Sequence, residues 1–128
     1  MRTRLAGDRR APGEARSYVT RWLEAASLPR GVLLEDVVLI ASELVTNSVR
    51  GGADWVDLTL LVAPGQLDLL VGDDAGGWPV LLTVDDDAVG GRGLGIVDQL
   101  ADSWVVTPRG GGKLVTATWL DRTADVSR

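Results

Sequence analysis

Apolar residues recur along this chain at two different periods. Over residues 12–26, Ala15, Val19, Trp22, Leu23 and Ala26 fall on one stripe of a 3.6-residue helix. Pro12 suits the first helical position, Glu14 the first turn, and Ser27-Leu28-Pro29 stops the run. The apolar-rich stretch over 32–50 is too long for a strand, so its length predicts a second helix. On that helix Leu34, Val37, Val38, Ala41, Leu44, Val45, Ser48 and Val49 share a face, Asp36, Glu43, Asn47 and Arg50 lie opposite, and Gly51-Gly52 ends it. The period then changes: residues 55–62 and 66–73 read as two strands of an antiparallel hairpin across Ala63-Pro64-Gly65. A glycine-rich loop runs on to Pro79, and 80–92 has no period and is expected to be a loop or lid. A short helix is predicted over 94–101, then strands over 103–107 and 114–119 around a turn at 108–113. Residues 1–11 are polar and are expected to fray, with room for a short edge strand near Leu5. The order predicts an α/β (α+β) two-layer sandwich, helices covering one face of a mainly antiparallel mixed sheet.

With 128 residues, 45% hydrophobic and 24% charged, the chain has the profile of one globular domain. The expected organisation is a flexible basic segment at 1–11, a single domain at 12–121 and a tail at 122–128. It contains no cysteine and no histidine, which excludes disulfides, thiolate metal sites, imidazole bases and a phosphohistidine relay. Any catalytic base must be a carboxylate, an amine or a phenol. The net charge of −5 is uneven, with residues 1–30 at +4 and the remainder at −9. An acidic body repels phosphate backbones, which argues against direct nucleic-acid binding. The apolar runs are strand-sized, and the arginine-rich start lacks the apolar core of a signal peptide. No membrane span is expected, and a cytoplasmic location is the default.

Three segments carry candidate chemistry. Glu43 and Asn47 stand one turn apart on the polar face of the second helix, which taken alone is an ordinary solvent face. Asp73 ends an apolar strand and opens Asp73-Asp74-Ala75-Gly76-Gly77-Trp78-Pro79; a carboxylate there can accept from an exocyclic amine, while turn chemistry explains the glycines equally well. Gly90-Gly91-Arg92-Gly93-Leu94-Gly95-Ile96 leads into a helix, where free backbone N–H groups and the helix dipole form an anion site. A dinucleotide fingerprint would need glycine at Ile96, and a P-loop would need Ser or Thr at Leu114; both fail.

Together, Glu43-Leu44-Val45-Thr46-Asn47, Asp73-x-Ala75-x-Gly77 and Gly91-Arg92-Gly93-Leu94-Gly95-Ile96-Val97 resemble the N, G1 and G2 boxes of the Bergerat-fold (GHKL) ATPase superfamily. The run 42–50, with the run from Gly91 to Trp104, resembles more narrowly the small stand-alone anti-sigma-factor serine/threonine kinases of bacterial partner switching. The likeness spans about residues 16–119. It implies an ATP-binding fold that takes ATP and Mg²⁺, with an antagonist protein and a sigma factor as partners, and relatives of this type often pair as homodimers. Residue by residue, it implies Glu43 as the catalytic base or polarising carboxylate and Asn47 as the metal ligand. Asp73 and Gly77 would hold the adenine, and Gly91, Arg92, Gly93, Leu94 and Gly95 the phosphates. Phosphoryl transfer is mostly positioning and charge neutralisation, so a carboxylate, a metal ligand and an anion cradle suffice without histidine.

Two departures keep a second class open. Ala75 stands where the G1 box usually has glycine, and Arg50-Gly51-Gly52 occupies a stretch where many relatives carry a histidine. A non-catalytic, nucleotide-dependent interaction module is the alternative. Asp85-Asp86-Asp87 reads as solvated loop, and Lys113 reads as a residue of the last hairpin.

Overall fold

The computed structural model describes residues 1–75, 97 and 99–122. Its elements, in chain order, are β1 (Arg2–Ala6), α1 (Ala11–Glu24), α2 (Leu34–Arg50), β2 (Trp55–Ala63), β3 (Gln66–Asp73), β4 (Ser103–Arg109) and β5 (Gly112–Leu120). The strands form one sheet in the order β1-β2-β3-β5-β4, antiparallel at every pairing.

The period-2 pattern explains which face is covered. Leu5, Val56, Leu58, Leu60, Leu67, Leu69, Val71, Val115, Ala117 and Trp119 are buried, and the register stacks them in rows such as Leu58–Val71–Val115 and Leu60–Leu69–Ala117. Ala15, Val19 and Leu23 of α1 and Val37, Ile40, Ala41, Leu44 and Val45 of α2 complete the same core. Each fully buried aliphatic side chain here contributes about 1.5–3 kcal/mol relative to exposure. This is the expected two-layer arrangement.

Four local expectations are corrected. Residues 2–6 do not fray but form the short edge strand for which the sequence left room near Leu5: β1 pairs with β2 from Arg2↔Thr59 to Ala6↔Trp55, anchored by buried Leu5. The second helix begins at Leu34, because Leu33 has extended backbone (φ −96°, ψ 134°). The first helix ends at Glu24, two residues short of the expected stop. The last hairpin is tighter than a turn at 108–113. Pro108 pairs with Lys113 and Arg109 with Gly112. Proline is tolerated there because β4 is an edge strand, and the reversal needs only Gly110, with φ +59°, and Gly111.

The chain between β3 and β4 returns to the sheet through residues that the sequence placed in a short helix. Val97, Gln99 and Leu100 are helical, and Val97 is fully buried. The Trp119 indole Nε1 donates to the Leu100 carbonyl at 2.9 Å, and Asp102 N donates to Thr118 O at 2.9 Å. A buried tryptophan thus has its polar atom satisfied.

Candidate active site

The C-terminal half of α2 lies against the end of β3. Asp73, the last residue of that strand, is 1% exposed. Its Oδ2 accepts from Ser48 Oγ of α2 and from Lys113 Nζ of β5 at 2.7 Å, and its Oδ1 accepts from Ala75 N at 2.9 Å. The last bond is an Asx turn, the local chemistry that lets the chain leave the strand. Asp74 acts alongside it: its Oδ1 accepts from Asp54 N at 2.9 Å and Trp55 N at 3.3 Å, tying the start of β2 to the end of β3. A buried carboxylate is tolerable only when it is paired and hydrogen-bonded, and here it is both.

Helical geometry sets Glu43 and Asn47 one turn apart, and Asn47 directly precedes Ser48. The Ser48–Asp73 bond therefore brings the helix segment that carries Asn47 against the strand end that carries Asp73. Asn47 Nδ2 is buried and has no hydrogen-bond partner among the described residues. Such an orphaned amide is uncommon in a folded protein and calls for an explanation. An Asn side chain presents a donor and an acceptor whose assignment depends on the surrounding network, so it suits a phosphate oxygen or a hard cation equally. Glu43 is half-buried on the same helix. Gly77, Gly91, Arg92, Gly93, Leu94 and Gly95 lie outside the described residues, as do the acidic run at 85–87 and Trp78.

Ala75 is 3% exposed and belongs to the hydrophobic core. A methyl at this position contributes to packing, and its backbone N–H orients Asp73.

Two members of the constellation were not singled out in the sequence. Ser48 is one: it sits among the apolar residues of the inward face of α2, and a hydroxyl there needs a buried partner. Lys113 is the other: it does belong to the last hairpin, as expected, but its side chain turns inward rather than to solvent. Its side chain is 3% exposed and paired with Asp73 across the β3–β5 ladder. The signal was present, because Lys113 occupies the same alternation as Val115, Ala117 and Trp119, all of which face inward.

A concavity of about 230 Å³ opens on the sheet face opposite the helices, around Asp57, Thr59, Gly72 and Arg109. None of the described residues that line it belongs to the three boxes. Among the described residues no helix is long and apolar enough to cross a membrane, and no cluster of three His, Cys, Asp or Glu side chains could hold a metal.

No match was found among curated proteins. Among solved structures, the crystal structure of the RsbU and RsbW domains of Rv1364c from Mycobacterium tuberculosis superposes with a TM-score of 0.70. It covers 94% of this chain at 21% identity, and this chain spans 31% of that one, so the likeness is one of fold. The family model described as histidine kinase-like ATPase domain matches residues 6–119, which takes in both helices, the strands from β2 onward and the Asp73 constellation. With a sequence match that long on an α+β fold of the same kind, the chain belongs to the histidine kinase-like ATPase domain family.

Proposed function

We propose that this chain binds ATP with Mg²⁺ and acts as a protein serine/threonine kinase of the anti-sigma type, phosphorylating an antagonist protein and regulating a sigma factor by partner switching. The observation that carries the proposal is the docking of the Asn47 segment of α2 onto buried Asp73 through Ser48, beside an Asn47 amide with no partner among the described residues. Family membership supports the nucleotide, and the resemblance of the small stand-alone kinases supports the partners.

In this reading Asp73 accepts from the adenine amino group, and Asn47 and the backbone amides of 91–95, with Arg92, face the phosphates. Magnesium would supply charge neutralisation on the phosphate oxygens. It characteristically relies on few protein ligands and on the phosphates themselves, which suits a site offering Asn47 rather than a carboxylate cage. The Glu43 carboxylate accepts the proton of the attacking hydroxyl. Gly77 would give the base room, and Leu94 belongs to the segment that would meet the phosphates.

Incubation with labelled ATP, Mg²⁺ and the candidate antagonist is the test. Label should appear on a serine or threonine of the antagonist, Glu43→Ala should abolish transfer while ATP still binds, and Asp73→Asn should abolish binding. Binding without transfer would leave the interaction module as the function.

A further inference from the structure

On the sheet face opposite the helices, three arginines gather about one carboxylate. Arg4 already satisfies Asp57 with two short bonds, at 2.7 and 3.0 Å, and its guanidinium lies 3.9 Å from the centre of the Trp55 ring. Arg2 and Arg109 come only to 3.6 and 3.5 Å, both at the same Asp57 Oδ2. Three guanidinium charges against one carboxylate leave two positive charges over, in a chain whose net charge is −5. Each guanidinium has five N–H donors in a planar fork, and among the described residues Arg2 and Arg109 commit few of theirs.

These two arginines line the concavity of about 230 Å³, and the rest of its lining explains its shape. Gly72 pairs with Asp57, and a Cβ there would fall 2.7 Å from Arg109 Nη2 and 3.3 Å from Leu114 Cδ1. Glycine inside a strand weakens it and often marks the close approach of another group. Its bare backbone lets the Arg109 guanidinium rest against the sheet. Thr59, opposite Arg2, adds a hydroxyl, and Leu70 and Leu114 add apolar walls.

We propose that this concavity binds the phosphate monoester of a small organic molecule, its oxygens held between Arg2 and Arg109 with Thr59 donating, and its organic part against Leu70 and Leu114. A phosphate monoester carries about −1.5 to −2 charge at neutral pH, which matches the two uncompensated cations. A carboxylate or a sulfate ester brings one charge and leaves the other unanswered. Tetrahedral oxyanions also accept from a guanidinium fork through two oxygens at once. The Arg4 fork neutralises Asp57, so an incoming anion meets Arg2 and Arg109 as the free charges. The site lies on the other face of the sheet from Asp73 and shares no residue with the ATP reading, so the two stand or fall separately.

Amide NMR spectra of the full chain at low salt and slightly alkaline pH, titrated with phenyl phosphate, phenyl sulfate and inorganic phosphate, test the site. Phenyl phosphate should move the amides of Thr59, Gly72 and Arg109 saturably, and bind about threefold to tenfold more tightly than the singly charged sulfate ester. Inorganic phosphate should move the same amides and bind more weakly, for want of the apolar contact. Arg109→Gln should weaken phenyl phosphate by about threefold to tenfold, and adding Arg2→Gln should abolish the saturable shifts. Arg21→Gln on α1 should change neither. Equal affinity for the two esters, or equal shifts at the arginines of α1, means a diffuse attraction for anions and overturns the proposal. Shifts confined to Ser48 and Ala75 place the ligand at the nucleotide site and overturn it too, as does the absence of any saturable shift. Should Arg2→Gln loosen β1, the ligand series on the wild type and Arg109→Gln alone still decide.

Discussion

Two aspartates are buried in the same sheet, on opposite faces, and they are stabilised in opposite ways. Asp57 in β2 points to the sheet face opposite the helices. Arg4 grips it with two bonds at 2.7 and 3.0 Å, Arg109 lies at 3.5 Å and Arg2 at 3.6 Å. All three arginines remain substantially exposed. Asp73 in β3 points into the core, and its counter-ion Lys113 is buried with it. The first is a surface clamp that fastens edge strand β1, through Arg4, to its neighbour. The second is an enclosed pair beside the candidate nucleotide site. What separates them is the fate of the partner once the carboxylate is gone: an arginine returns to water, whereas the lysine is stranded.

That contrast sets the size of the expected effects. Asp73→Ala leaves an uncompensated ammonium in the core and should cost about 3–5 kcal/mol, measured as a lowered urea midpoint by tryptophan fluorescence. A loss under about 1 kcal/mol would mean that the lysine escapes to solvent and that the two aspartates are alike. Ser48→Ala removes one donor from the same carboxylate but keeps the lysine, so about 1–2 kcal/mol is expected by the same assay.

Asp57→Asn should cost about 1 kcal/mol or less at neutral pH, because its partners are solvated. Its signature lies in acid. The Arg4 hydrogen bond, with the charges of Arg4, Arg2 and Arg109, holds the Asp57 carboxyl below its ordinary value of 3.8 against the opposing effect of burial. A carboxyl depressed in the folded state stabilises fully above its unfolded value, and that stability is lost as pH falls below about 4 toward the folded value. Urea midpoints followed from about pH 5 to about pH 3 should therefore fall less steeply in Asp57→Asn than in wild type. Asp8, also held low by Arg10, contributes to the acid loss equally in both proteins. The smallest effect is expected at Gly72. A Cβ built there would lie 2.7 Å from Arg109 Nη2, the movable end of a long side chain. Gly72→Ala should displace that guanidinium from Asp57 and change stability by no more than about 0.5 kcal/mol in the same denaturation series.

The same contrast explains what could be read from the sequence. The β2–β3 hairpin and both helices were legible because each is written locally, in period and punctuation. Strand β1 was harder, since Arg2, Thr3 and Arg4 look like a solvated arm until Asp57, 53 residues away from Arg4 in sequence, turns them into a ladder. Asp73 was visible as a carboxylate ending an apolar run. Lys113 was not, because a lysine beside three glycines reads as a turn residue, and only the β3–β5 pairing, formed across 40 residues of sequence separation, brings it into the core. Ser48 was placed on the correct face, but its partner could not be foreseen from one helix.

The way β3 and β5 are joined has a further consequence. They are immediate neighbours, locked in register from Gln66↔Leu120 to Asp73↔Lys113, although Asp73 and Lys113 stand 40 positions apart in sequence. The alignment of that ladder is fixed by eight paired positions rather than by the length of the intervening chain. The length of chain between the two strands can therefore differ between related domains with the Asp73–Lys113 contact unmoved. A library of chimeras varying only that length would sample new selectivities on a constant anchor.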